Sequence, residues 1–140
     1  MIGLVIVTHG SLGHEILKTA EFIIGGLDGC LTVSIDSVRS PESLREAVGV
    51  AIEALDKGDG VLVLTDMFGG TPSNISLSFL ENGRVEVLSG VNLPMLLKAV
   101  QLRDRSVLSE AAQAIGEYGR KSINVAGDLL RGESPAGPGS

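Results

Sequence analysis

Ile2-Gly3-Leu4-Val5-Ile6-Val7-Thr8-His9-Gly10-Ser11 and, further along, Val61-Leu62-Val63-Leu64-Thr65-Asp66-Met67-Phe68-Gly69-Gly70-Thr71-Pro72-Ser73-Asn74 are the stretches whose reading decides the fold. Each begins as a near-continuous aliphatic run. Each ends on a threonine and one chemically capable side chain, His9 or Asp66, followed by small residues and a helix start. Apolar runs without polar alternation mark strands buried on both faces, as in a parallel sheet covered by helices. In such sheets, side chains at the carboxyl ends of the strands share a crevice.

Strand and helix signals alternate outward from these two runs. The first strand is expected over residues 2–8. The first helix starts near Ser11, buries Leu12, Ile16, Ala20, Ile23, Ile24 and Leu27, and ends at Gly25-Gly26. A second strand covers residues 31–35. Ser40-Pro41-Glu42 gives the next helix an N-cap, a proline at N1 and a first-turn acid. Its inward face is Leu44, Ala47, Val48, Ala51, Ile52 and Leu55, and Gly58-Asp59-Gly60 stops it. A third strand covers 61–65. Thr71-Pro72 opens the third helix by the same N-cap and N1 logic, with Ile75, Phe79 and Leu80 inward and Asn82-Gly83 closing it. A fourth strand covers 85–88. Ser89-Gly90-Val91-Asn92 leads into a fourth helix with Pro94 in its first turn and Leu93, Leu96, Leu97 and Val100 as its stripe. Arg103-Asp104-Arg105 reads as a solvated break. Ser106 caps a fifth helix that buries Leu108, Ala111, Ile115 and Tyr118, and residues 123–125 form a short last strand.

This pattern is that of a single-domain α/β protein: an open, doubly wound, mainly parallel sheet with helices on both faces and right-handed crossovers. The order 2-1-3-4, plus the short last strand, sets the first and third strands side by side and makes His9 and Asp66 neighbours at the switch point. The order 3-2-1-4 would separate them. The domain is expected over residues 1–130. Residues 131–140 have linker composition and read as a disordered tail.

Composition narrows the function classes. A chain of 140 residues that is 44% hydrophobic and only 3% aromatic builds one aliphatic core. The formal charge is −6 and no Lys/Arg stripe exists, which argues against nucleic acid and anionic membrane. No apolar run approaches the roughly 20 residues of a membrane span, and the start lacks the positive flank of a signal peptide. Cys30 is alone, so no internal disulfide forms, which fits the cytoplasm.

His9 admits two readings: a strand-end histidine bonded to a backbone carbonyl, or a nucleophile. Gly10-Ser11 favours close approach of a ligand. With one ring nitrogen tied to a carboxylate, the other is free as a nucleophile, and Asp66 is placed to supply that tie. Asp66 is also read as an acceptor for the amides of the Gly69-Gly70 turn. Gly69-Gly70-Thr71-Pro72 offers amides, a hydroxyl and a helix start to an anion, and also reads as an ordinary helix cap. His14 and the acids Glu15, Glu21, Asp28 and Asp36 read as surface residues without metal-ligand spacing. There is no phosphate loop of the Gly-x-x-x-x-Gly-Lys-Ser/Thr type, no dinucleotide fingerprint and no acidic pair after the first strand. No cofactor or metal is therefore expected, and a phosphoryl group would arrive from and leave to other proteins.

Val7-Thr8-His9-Gly10, Asp66 through Asn74, and Ser89-Gly90-Val91-Asn92-Leu93-Pro94-Met95-Leu96 together resemble the IIA component (EIIA) of the mannose-family sugar phosphotransferase system, over residues 1–127. The resemblance implies a phosphotransferase in which His9 is phosphorylated on Nε2, Asp66 orients and stabilises the ring, and Thr71 contacts the phosphoryl group. Gly10, Ser11, Gly69 and Gly70 line the phosphoryl site, and Phe68 and Asn92 form its rim. Phe68 stands where some relatives have tryptophan. The donor is the phosphocarrier HPr. The acceptor is a IIB component, here on a separate chain. The resemblance also implies a homodimer whose last strand, around residues 123–125, crosses to the partner subunit. Two other readings compete: a regulatory phosphoprotein with no transport role, and a tetrapyrrole chelatase-like enzyme. The chelatase reading needs a second well-placed histidine, and a histidine phosphatase needs arginine where Thr8 stands.

Overall fold

The computed structural model describes residues 1–132. In chain order the elements are β1 (Gly3–His9), α1 (Leu12–Ile24), β2 (Cys30–Ile35), α2 (Pro41–Leu55), β3 (Val61–Thr65), α3 (Thr71–Leu77), β4 (Val85–Ser89), α4 (Leu93–Leu102), α5 (Leu108–Lys121) and α6 (Ala126–Leu130). The strands form one parallel sheet in the order β2-β1-β3-β4. The two stretches quoted at the outset are therefore neighbours, in register from Gly3↔Val61 to Val7↔Thr65.

Successive strand side chains point to opposite faces, so β1 feeds two cores. Leu4 and Ile6 meet Leu62 and Leu64 beneath α1, α4 and α5. Val5 and Val7 meet Val33, Ile35, Val61, Val63 and Val85 beneath α2 and α3. Double coverage explains why the strands read as continuous apolar runs. Burial also pushes the Cys30 thiol up to about 12, so it stays protonated at neutral pH.

Ser40 Oγ caps α2 as expected, accepting the Ser43 amide at 3.1 Å; α4 is capped by Asn92, whose Oδ1 accepts the Met95 amide at 3.0 Å. α1 starts at Ser11 as expected, although the Ser11 side chain makes no cap bond; buried Thr8 Oγ1 accepts the Gly13 amide at 2.7 Å. Two starts differ. On α3 the N-cap is Gly70, and Thr71 is the first helical residue. On α5 the N-cap is Val107, because the Ser106 amide closes the preceding turn onto the Leu102 carbonyl at 3.1 Å. Helix α3 also ends at Leu77, ahead of Asn82-Gly83. The Ser76 and Ser78 hydroxyls donate back to the Pro72 and Ile75 carbonyls, a competition that shortens helices.

Some expected core residues are exposed. Leu12, Ile23 and Ile24 lie outside the narrow face of α1, which presses Gly13 against Ile6 and Thr8. Leu80 lies beyond the end of α3, and Tyr118 faces out with Lys98 Nζ 5.0 Å from its ring centroid. Arg103 is the reverse case: it is not solvated but buried, donating to the carbonyls of Ile2 (3.1 Å), Asp28 (2.6 Å) and Gly29 (2.6 Å). Residues 123–125 are not a strand. They are exposed between α5 and α6 and have no ladder partner among the described residues. A strand needs a neighbour to pair with, and one copy of the chain provides none here. Residues 133–140, most of the expected tail, lie outside the described residues.

Candidate functional site

The β1–β3 ladder ends at Val7↔Thr65, and both chains leave the sheet just beyond it. The order reverses here, since β2 lies on one side of β1 and β3 on the other. His9 and Asp66 emerge together. Asp66 Oδ2 accepts the His9 backbone amide at 2.9 Å and lies 2.8 Å from His9 Nδ1, while Oδ1 accepts the Met67 amide at 2.9 Å. These amides, rather than those of Gly69-Gly70, hold the carboxylate. Burial alone would raise the Asp66 pKa. The His9 amide, the His9 ring and the Met67 amide outweigh it and hold the carboxyl below the usual carboxylate range. An ionised carboxylate only accepts, so the proton between the two groups sits on Nδ1 and the lone pair on Nε2.

That free nitrogen faces the glycine turn. A Cβ on Gly70 would fall 2.9 Å from His9 Cε1 and 3.6 Å from Nε2, so only glycine lets this turn lie against the ring. Gly69 adopts φ +89°, a left-handed conformation suited to glycine. Among the described residues no acceptor takes the amides of Gly69, Gly70 or Thr71, and the Thr71 hydroxyl has no partner. Gly70, not Thr71, occupies the N-cap position of α3. The Gly10 amide donates to the Ile35 carbonyl at 3.0 Å, so Gly10 contributes a turn at φ +54° rather than an anion-binding amide. Ser11 is exposed beside it.

The site is open. The His9 side chain is 51% exposed, against 12% for Asp66. Phe68 and Met67 are exposed on the loop after β3, and Leu12 is exposed at the start of α1. Leu12 reads as core in the sequence and Met67 only as part of the motif; an apolar pair Met67-Phe68 in a loop between a strand and glycines was the available signal. Asn92 follows β4 at the same edge of the sheet, but its side chain is engaged in capping α4 and bonding to α5. His14 is exposed on α1. Among the described residues no group of three or more His, Cys, Asp or Glu side chains converges to hold a metal, and no helix is long and apolar enough to cross a membrane.

The parallel sheet in the order β2-β1-β3-β4 agrees with what the chain is similar to. A family model described as PTS system fructose IIA component, EIIA-man, matches residues 3–116. The mannose-specific EIIAB component of Escherichia coli K12 is 33% identical over 126 residues, covering 89% of this chain and 39% of that relative. The fructose-specific EIIA component of Bacillus subtilis is 29% identical over 131 residues, covering 93% and 90%. The crystal structure of phosphotransferase system component EIIA from Streptococcus agalactiae superposes with a TM-score of 0.82 at 28% identity, covering 91% of this chain and 98% of that one. The chain belongs to the EIIA-man family of IIA components of the sugar phosphotransferase system. It spans 39% of the length of the Escherichia coli EIIAB relative.

Proposed function

We propose that this protein is a phosphohistidine carrier that takes a phosphoryl group from phospho-HPr on His9 and hands it to a IIB component during sugar uptake. The observation that carries this reading is the His9 ring, tied to Asp66 through Nδ1 at 2.8 Å while the edge bearing Nε2 faces Gly70. The Nε2 lone pair attacks the donor's phosphorus, the donor's P–N bond breaks, and a P–Nε2 bond forms. The ring becomes an imidazolium whose Nδ1–H stays bonded to Asp66, which neutralises the new charge. The amides of the Gly69–Thr71 turn and the Thr71 hydroxyl meet the phosphoryl oxygens, with Ser11 at the edge of the site. The acceptor's nucleophile then reverses the step.

Exposed Phe68, Met67 and Leu12 around the ring give both partner proteins an apolar landing surface. In this reading the protein works in the cytoplasm, needs no metal or cofactor, and acts as a homodimer. The test is intact-mass spectrometry after incubation with phosphoenolpyruvate, Enzyme I and HPr. The expected result is a gain of one acid-labile phosphate, absent from His9→Ala. No gain with active donors overturns the reading.

A further inference from the structure

The residue before Asp66 is gripped from the neighbouring loop. The Thr65 carbonyl accepts two amides, from Gly90 at 3.0 Å and Val91 at 2.9 Å, and Thr65 Oγ1 donates to Ser89 Oγ at 2.7 Å. The direction in which the chain leaves β3, and hence the placement of Asp66, is thus set by the turn that follows β4. Asn92 closes that turn with both ends of its amide. Oδ1 caps α4 through the Met95 amide at 3.0 Å, and Nδ2 donates to the Gly119 carbonyl on α5 at 3.2 Å. A Cβ at Gly119 would sit 2.7 Å from Met95 Sδ, so the close approach of α5 to this corner depends on that glycine. Serine, threonine or aspartate would cap α4 equally well. Aspartate has no donor, and serine and threonine carry donor and acceptor on one oxygen; the asparagine amide accepts from Met95 and donates to Gly119 through two separate atoms.

We propose that Asn92 is a positioning residue for Asp66: by pinning the β4–α4 turn to α5 it holds the two amides that grip Thr65, and so keeps the carboxylate on His9 Nδ1. This rests on the roles given above to His9 and Asp66. The experiment is NMR of the isotope-labelled, unphosphorylated protein, following solvent exchange of the His9 Nδ1 proton in wild type, Asn92→Ala, Asn92→Asp and Ile52→Val. Asn92→Asp keeps the acceptor that caps α4 and removes the donor to Gly119, so it carries the test even if Asn92→Ala does not fold. Ile52→Val removes a buried methyl on the opposite face of the sheet and reports general loosening. The expected result is exchange about tenfold faster in both Asn92 variants and unchanged in Ile52→Val. Exchange in Asn92→Asp within about twofold of wild type, or equal acceleration in Ile52→Val, overturns the proposal. No phosphoryl donor enters the measurement. A wild-type protein that takes no phosphate would therefore sink the carrier reading while leaving this result to stand or fall alone.

Discussion

The Asp66 carboxylate is held by the His9 amide, the His9 ring and the Met67 amide, and each contact favours its charged form. Its pKa is depressed on folding, so the stability it contributes is fully present above the unfolded carboxylate value and is lost as pH falls through the lower folded value. Asp66→Asn keeps the shape but can no longer hold a cationic ring. Phosphoryl transfer to His9 is expected to slow by roughly 10²–10⁴ in rapid-quench assays. The stability gap between wild type and variant in urea melts should narrow only below the usual carboxylate range. A wild-type rate in Asp66→Asn would remove the aspartate from the chemistry. His9, Asp66 and Gly70 were legible in the sequence because strand ends followed by glycines are local signals. The Thr8 cap on Gly13 was not legible, because it bonds across the turn from the strand while Ser11 occupied the usual cap position.

At the scale of the element, the central strands β1 and β3 could be read because burial on both faces removes polar alternation, whereas the edge strands β2 and β4 keep Thr32, Ser34 and Glu86 among their apolar residues. Helix faces were harder. α1 packs through Gly13 and Ala20 with Ile16 and Leu17 partly buried beside them, while Leu12, Ile23 and Ile24 lie outside the contact. Arg103 shows the limit most clearly. Between Leu102 and Asp104-Arg105 it reads as solvated, yet its guanidinium ties the end of α4 to Ile2 before β1 and to Asp28 and Gly29 before β2. Its backbone carbonyl also accepts the Ile2 amide at 3.0 Å. Contacts so distant in sequence leave no local signature. Arg103→Met fills similar space but strips the donors from buried carbonyls, and should cost roughly 2–4 kcal/mol. Urea unfolding followed by circular dichroism would show a lowered midpoint with an unchanged slope. A midpoint within error of wild type would mean that water replaces the guanidinium without loss.

At the scale of the molecule, the sheet has two edges that are treated differently. β2 is one edge, and its Ser34 carbonyl is covered by the Arg39 guanidinium, a device that discourages further pairing. β4 is the other. Beyond α5 the chain exposes Ile123, Val125 and Leu130 at 73%, 66% and 88%, an apolar set that a lone copy leaves in water. This is the segment read from the sequence as a last strand. The structure has no strand there, since a short strand has no stability without a ladder. The homodimer proposed above would cover it with a second copy of the chain. Light scattering coupled to size exclusion should then give twice the chain mass of 14.5 kDa for the wild type. Ile123→Lys combined with Val125→Lys should give a monomer with unchanged circular dichroism, because neither side chain is buried within its own chain. A monomeric wild type at micromolar concentration would sink the dimer. A double variant that still dimerises would place the interface on another surface and leave residues 123–125 as a linker between α5 and α6.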